Sequence, residues 1–287
     1  MELQWPLILF STFVAWSAGL FGTQAVAALR GHGAKAQLPA LVTSLALLAV
    51  GGVAVFFHLQ HWERIFNGFG HLTSGITQEL IGVVLMVAMM AVLFVFVRKG
   101  AKAPAWACVV SVVVAVALVV VAGHSYMMAA RPTWNSVLQI LSLVGTALPL
   151  GVGTFALIEG VVGDDDAAAA GMPALVAGTV NVVTTVAFVA AMAAGTSGIR
   201  SYGFFFPTNH PNSVVHTAAD FSPFAGDTLT LTVAAIVLAV AAAAFAACGK
   251  KKGDWKVWGA AIALSAAAGA ICLRAVFFAT GTSVFML

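Results

Sequence analysis

Residues 78–97 read Gln78-Glu79-Leu-Ile-Gly-Val-Val-Leu-Met-Val-Ala-Met-Met-Ala-Val-Leu-Phe-Val-Phe-Val97, and no charged residue follows Glu79 until Arg98. A helix needs about 20 such residues to cross the hydrocarbon core of a bilayer. Similar apolar runs occupy 6–29, 38–60, 104–124, 137–159, 173–195, 227–247 and 256–278. They predict an all-α integral membrane protein, a bundle of eight transmembrane helices in a single polytopic membrane domain over 1–287. Pro6, Pro39, Pro104 and Pro173 each fall near the start of a run, where a missing amide hydrogen costs nothing.

The composition supports this reading, with 61% hydrophobic and 8% charged residues. A soluble fold could not cover so much apolar surface with so little polar surface. Lipid removes that difficulty and leaves the demand that each backbone amide bond within its own segment. A β-barrel would show short segments of alternating polarity, whereas these runs are continuous and rich in Ala, Val, Leu and Gly. Cys108, Cys248 and Cys272 are isolated from one another, which excludes zinc or iron–sulfur spacing and leaves them as small apolar residues. The first run is long enough to span and lacks a preceding basic segment and cleavage site, so it reads as a first transmembrane helix.

The basic residues mark topology, not a nucleic-acid surface. The connections after runs one, three and seven hold nine of them: Arg30, Lys35, Arg98, Lys99, Lys102, Lys250, Lys251, Lys252 and Lys256. Those after runs two, four and six hold three, Arg64, Arg131 and Arg200. The first set is expected on the cytoplasmic side, with both termini on the outer (periplasmic) side. The connection 160–172 dissents with Asp164, Asp165 and Asp166 and no base; acids count little in this rule.

Of the seven histidines, only His32 belongs to the cytoplasmic set; His58, His61, His71, His124, His210 and His216 gather at the outer side. Trp62, Trp134, Tyr126, Tyr202 and Phe204 to Phe206 share that side, where aromatic residues also serve as interfacial anchors. The densest stretch is His58-Leu-Gln-His61-Trp-Glu63-Arg64-Ile-Phe-Asn67, with Glu79 at the mouth of the next helix. A carboxylate there has a partner or a task, or is a helix-start acid favoured by the dipole. Arg274 lies about 18 residues into the last run, ~27 Å along it, near its outer end. It either snorkels to the interface or faces Glu79 or a carbonyl-bearing ligand. Glu159, at the inner end of run five, reads as an interfacial acid.

Quinol oxidation requires a proton acceptor, hydrogen-bond partners for two hydroxyls, an apolar slot and a nearby electron acceptor. The outer cluster offers the first three. No histidine sits in mid-span, so no haem is expected. The electron acceptor then belongs to a partner subunit.

Several short segments resemble the membrane anchor subunits of the dimethyl sulfoxide reductase type, the DmsC family. They are Glu2-Leu-Gln-Trp5-Pro6-Leu, His58-Leu59 followed by Arg64-Ile-Phe-Asn67, Glu79, Arg131-Pro132-Thr133-Trp134, and Leu273-Arg274-Ala-Val-Phe-Phe. The resemblance covers nearly the whole chain in length and span count. It implies a three-subunit complex in the bacterial inner membrane: a molybdopterin catalytic subunit, an iron–sulfur subunit, and an anchor that binds and oxidises menaquinol. It also implies roles for matching positions. His58 would take the proton and bind a quinol hydroxyl, Glu79 would relay the proton or hold the second hydroxyl, and Arg64, Asn67 and Arg274 would orient the site, with Trp134 and His61 also in the quinol-binding set. The segment Gln60-His61-Trp62-Glu63 departs from the family pattern, so His61 competes with His58. The region 196–226 has no counterpart and reads as a docking segment for the iron–sulfur subunit or a lineage-specific loop. The alternatives are a polytopic secondary transporter, which would carry polar groups near the midplane, and a purely structural anchor without a quinol site.

Overall fold

The computed structural model describes residues 4–58, 70–100, 102–164, 169–201, 217–283 and 285–286. Among these residues, eight helices are long and apolar enough to cross a membrane. They are α1 (Trp5–Arg30), α2 (Gln37–Phe56), α3 (Gly75–Val97), α4 (Ala105–His124), α5 (Val137–Val162), α6 (Gly171–Thr196), α7 (Gly226–Lys252) and α8 (Trp255–Thr280). Besides them, a 3₁₀ turn covers Ala218–Phe221, and Arg200–Ser201 (β1) pairs in parallel with Phe285–Met286 (β2).

Local sequence sets the helix ends. Pro6 sits in the first turn of α1, where no amide hydrogen is needed. Gly31 ends that helix in the left-handed region, at φ 74°, and its amide and that of His32 close the terminal carbonyls. Several helix ends differ from the sequence expectation: α5 runs on to Val162, past 159, and α7 to Lys252, past 247. α2 stops at Phe56, not 60, and its end is tightened by bonds from the Phe57 and His58 amides to the Ala54 and Val55 carbonyls. α3 begins at Gly75, three residues before the expected Gln78, following an extended Ser74.

Successive helices alternate in direction, so the bundle has two ends. At one end the α1–α2 turn meets the end of α5: the Lys35 amide donates to Asp164 Oδ2 (2.9 Å) and Lys35 Nζ to the Gly163 carbonyl (2.9 Å). Asp164, in the acidic connection that dissents from the expected cytoplasmic set, therefore sits beside the α1–α2 turn of that set and is bound by it. Asp165 and Asp166 lie outside the described residues. At the opposite end the α4–α5 connection clasps the end of α8.

α5 is the centre of the bundle, packed on α1, α4, α6 and α8. It can reach all four because small residues line it. A Cβ on Gly19 of α1 would collide with the Ala147 carbonyl oxygen, and one on Gly151 would collide with the Gly19 backbone, so α1 and α5 cross backbone to backbone. Without a hydrophobic drive between helices in lipid, such close van der Waals packing and interhelical hydrogen bonds hold the bundle. Trp16 Nε1 donates to Thr154 Oγ1 (2.7 Å), Ser17 Oγ to the Ser44 carbonyl (2.6 Å) and Gln24 Nε2 to the Gln37 carbonyl (3.1 Å). α3 is the opposite case, its burial confined to Thr77, Glu79, Met86, Met90 and Leu93. Its exposed Val84, Leu85, Val87, Phe94 and Val95 form a lipid-facing surface.

Gly19→Val is expected to force α1 from α5 and to destabilise the bundle by about 2 kcal/mol or more, in the range of core overpacking. Gly22→Ala, whose new Cβ would meet Ala115 at an ordinary 3.6 Å, should leave the midpoint of thermal unfolding in detergent unchanged or raised. Equal behaviour of the two variants would contradict the crossing geometry.

Candidate functional site

The clasped end of the bundle holds a cavity of about 690 Å³ between α1, α2, α3 and the α4–α5 connection. Leu7 and Phe10 of α1, Val55 and Phe56 of α2, and Ile76, Leu80 and Val83 of α3 make its apolar wall. His58, Glu79, Ser125, Tyr126 and Arg131 supply the polar groups. His58 and Glu79, 21 positions apart by their residue numbers and carried by different parts of the bundle, thus line one space.

Glu79 reaches the cavity through a close helix contact. A Cβ on Gly75 would lie 2.6 Å from Ser125 Cβ, so the start of α3 touches the end of α4 only because residue 75 has no side chain. One turn further on, Glu79 is buried at 8% exposure and accepts a short hydrogen bond from Ser125 Oγ. Because α3 begins at Gly75, Glu79 lies beyond the first turn, where no acidic residue is found. The helix dipole, which acts mainly on the first turn, therefore does not account for its position. His58 lies just beyond the last residue of α2 and is exposed at the cavity mouth.

The segment Arg131-Pro132-Thr133-Trp134 builds the floor. Arg131 Nη1 donates to the Gly281 carbonyl (2.9 Å), Thr133 Oγ1 to the Thr280 carbonyl (2.8 Å) and Trp134 Nε1 to the Phe277 carbonyl (2.7 Å). These three bonds tie the connection to the last turns of α8. The Arg131 guanidinium lies over the Trp134 ring at 4.3 Å, and Trp134 stacks on Phe277 at 4.5 Å. Trp134 borders the cavity while its N–H is committed to α8. Its contribution to a ligand is therefore surface, not a hydrogen bond.

Tyr126 packs edge-on against Trp134, Phe277 and Phe278 at 5.9, 5.8 and 5.7 Å. Burial pushes its phenol above the ordinary range; the Glu79 carboxylate adds to that and Arg274 opposes it. Arg274 itself does not line the cavity. It is 2% exposed, so it does not snorkel to an interface, and it donates to Gln139 Oε1 (3.3 Å) and Ser142 Oγ (2.9 Å) on α5, not to Glu79. Of the other residues expected at the site, His61, Arg64 and Asn67 lie outside the described residues. Ser125 is a site residue that the sequence does not single out, and Tyr126 is named there only as one of the outer-side aromatic residues. Their only signal is their position directly after run four, and nothing there distinguishes them from ordinary interfacial residues.

A second cavity, of about 580 Å³, opens in the other half of the bundle between α1, α4, α5 and α6. Its wall is almost wholly apolar, with Arg30, His32 and Glu159 at one end. Glu159 is buried at 3% exposure, more deeply than an interfacial acid would be, and a Cβ on Gly33 would stand 3.0 Å from its Oε1. It thus receives the α1–α2 turn.

The family model described as DMSO reductase anchor subunit (DmsC) matches residues 1–280. The chain belongs to the DmsC family. Among curated proteins none matches it. It is accordingly a multi-pass membrane anchor subunit of a DMSO-reductase-type oxidoreductase complex, and not the subunit that reduces the terminal acceptor. The Arg131–Trp134 clasp is an anchor-internal feature that this DmsC chain uses to close its bundle. Trp134→Phe keeps an aromatic ring but removes the indole donor to the Phe277 carbonyl, which still accepts from Thr280 Oγ1, at an expected cost of about 0.5–1.5 kcal/mol. An unchanged unfolding midpoint in detergent would show that the clasp carries no weight.

Proposed function

We propose that the cavity at the clasped end binds menaquinol and accepts its protons while the electrons pass to an iron–sulfur partner subunit and on to a molybdopterin catalytic subunit. The observation that carries this reading is the convergence of His58 and Glu79 on one cavity with an apolar wall. Each requirement of quinol chemistry then has a candidate residue. Histidine accepts a proton near neutral pH, and His58 stands at the mouth, where a proton can leave to water. Glu79, buried and oriented by Ser125, holds a hydroxyl or passes its proton outward. The apolar faces of α1, α2 and α3 take the ring, and the exposed surface of α3 leaves the isoprenoid tail a route into lipid. Arg64, Asn67 and His61 belong to the same site in this reading, on the segment that joins α2 to α3.

The redox step needs no cofactor on this chain. Quinol gives up two electrons and two protons; the protons go to the side chains above, and the electrons go to the cluster-bearing partner docked at this end. The complex belongs in the bacterial cytoplasmic membrane, where menaquinol is dissolved.

The test is turnover of the intact membrane-bound complex with menadiol as donor. His58→Gln and Glu79→Gln should each lower the rate by about 10²- to 10⁴-fold, the usual contribution of a positioned acid or base, with unchanged amounts of assembled complex. Normal menadiol oxidation in both variants would leave the chain an anchor without a quinol site at this cavity.

A further inference from the structure

Arg274 is a buried charge with neutral partners. At 2% exposure inside α8 it has lost its hydration, and a guanidinium in that position is compensated by an anion or a complete set of hydrogen bonds. It has neither. Gln139 and Ser142 accept from Nη1 and Nη2, Nε has no hydrogen-bond partner, and no ion pair to it is formed among the described residues. The rings of Phe188 and Phe277 face the guanidinium at 5.9 and 5.5 Å, which gives partial compensation through their π faces.

Tyr126 also packs against Phe277, and it lines the cavity. It is held by three aromatic edges, so its hydroxyl has a defined position. The charged and titratable groups around it are Glu79 from α3, His58 at the end of α2, Arg131 from its own connection, and Arg274 from α8. Its phenol feels both the Glu79 carboxylate and the Arg274 cation.

We propose that Tyr126 is a quinol-oxygen ligand of this cavity and that Arg274 is its positioning residue, supplying positive charge from behind the aromatic wall. The inference rests on the menaquinol reading above. In the proton-transfer step the quinol O–H bond breaks, the proton goes to His58 or Glu79, and the bonding pair stays on the quinol oxygen. Tyr126 keeps its own proton and donates a hydrogen bond to that oxygen as its charge develops. Arg274 acts across an aromatic layer that includes Phe277, where a fixed charge is weakly screened and needs no reorganisation when the oxyanion forms. Its unmatched charge in the resting bundle is then matched at the moment of deprotonation. Neutral partners on α5 keep the guanidinium in place without cancelling it.

The experiment uses the assembled complex in membranes, with menadiol as donor, and measures kcat, KM and the pH profile. Tyr126→Phe, which preserves the ring packing, should lower kcat by about 100-fold, as loss of one oxyanion donor does, and change KM little. Arg274→Lys should retain most of the rate. Arg274→Gln should lose it and move the rising limb of the pH profile to higher pH, because the quinol must then lose its proton without the nearby positive charge. The double variant Tyr126→Phe with Arg274→Gln should be no slower than the slower single variant. Wild-type kcat in Tyr126→Phe would overturn the proposal, as would Arg274→Gln lowering only the amount of complex with kcat and pH profile intact. If Arg274→Gln does not assemble, Tyr126→Phe and Arg274→Lys still decide. His58→Gln and Glu79→Gln, measured in parallel, separate the two readings. If they are inactive while Tyr126→Phe is normal, only the present proposal falls; if they too are normal, the cavity is not the quinol site.

Discussion

The backbone-to-backbone crossing of α1 and α5 is the constraint on which the other contacts depend. In lipid, a helix gains nothing by hiding apolar side chains from its surroundings, since those surroundings are apolar too. Association must come from packing distance and from polar groups with no alternative partner. Gly19, Ala147 and Gly151 let two backbones meet, and only at that separation does Trp16 reach Thr154. Gly153 extends the same logic to α8, where a Cβ would lie 2.7 Å from Ile262 Cγ2. With α1 and α8 drawn onto α5, Gln139 and Ser142 of α5 come within reach of Arg274. The charged residue follows the glycines, not the reverse.

At the clasped end the same central helix fixes the site indirectly. The α4–α5 connection has few residues of its own to bury, so it takes order from the carbonyls that end α8. Three donors, from Arg131, Thr133 and Trp134, close those carbonyls. A helix terminus in a membrane needs this, because unsatisfied backbone groups there have no water to turn to. The clasp also presents Tyr126 and the Trp134 ring to the cavity. A structural requirement of α8 and the shape of a binding wall are thus met by the same segment.

The spans are legible in the sequence because their signal is additive: a run such as 104–124 is apolar over its whole length, and no tertiary contact is needed to see it. Helix ends are less legible. The apolar pattern starts α3 at Gln78, but the helix begins at Gly75 through contact with Ser125, a residue 50 positions away by number that no local pattern announces. That shift changes the chemistry, since it moves Glu79 from a dipole-favoured first turn to a buried second one. For Arg274 the sequence supplies depth but not direction: a residue near the end of a span can snorkel or turn inward, and only packing against α5 selects between them. Glu159 shows the same blindness at the other end, where burial by Gly33 depends on the fold of a turn in a different part of the chain. His58 and Glu79 are legible as individual site residues only through the family resemblance. Composition alone points no further than the end of the bundle at which they stand.

Glu79 and Arg274 lie in the same half of the bundle, yet their hydrogen bonds go to different partners. A buried ion pair offsets its desolvation only where the geometry is good and the remaining donors and acceptors are satisfied. Instead the chain gives Glu79 a serine and Arg274 a glutamine and a serine, with Tyr126, Phe277 and Trp134 forming the wall nearby. Neutral partners of this kind hold a side chain's position while leaving its charge unspent. A cation held by neutral partners behind an aromatic wall keeps its field, and in a medium of low dielectric that field acts over several ångströms. A bound molecule that changes its own charge is the natural receiver of such a field.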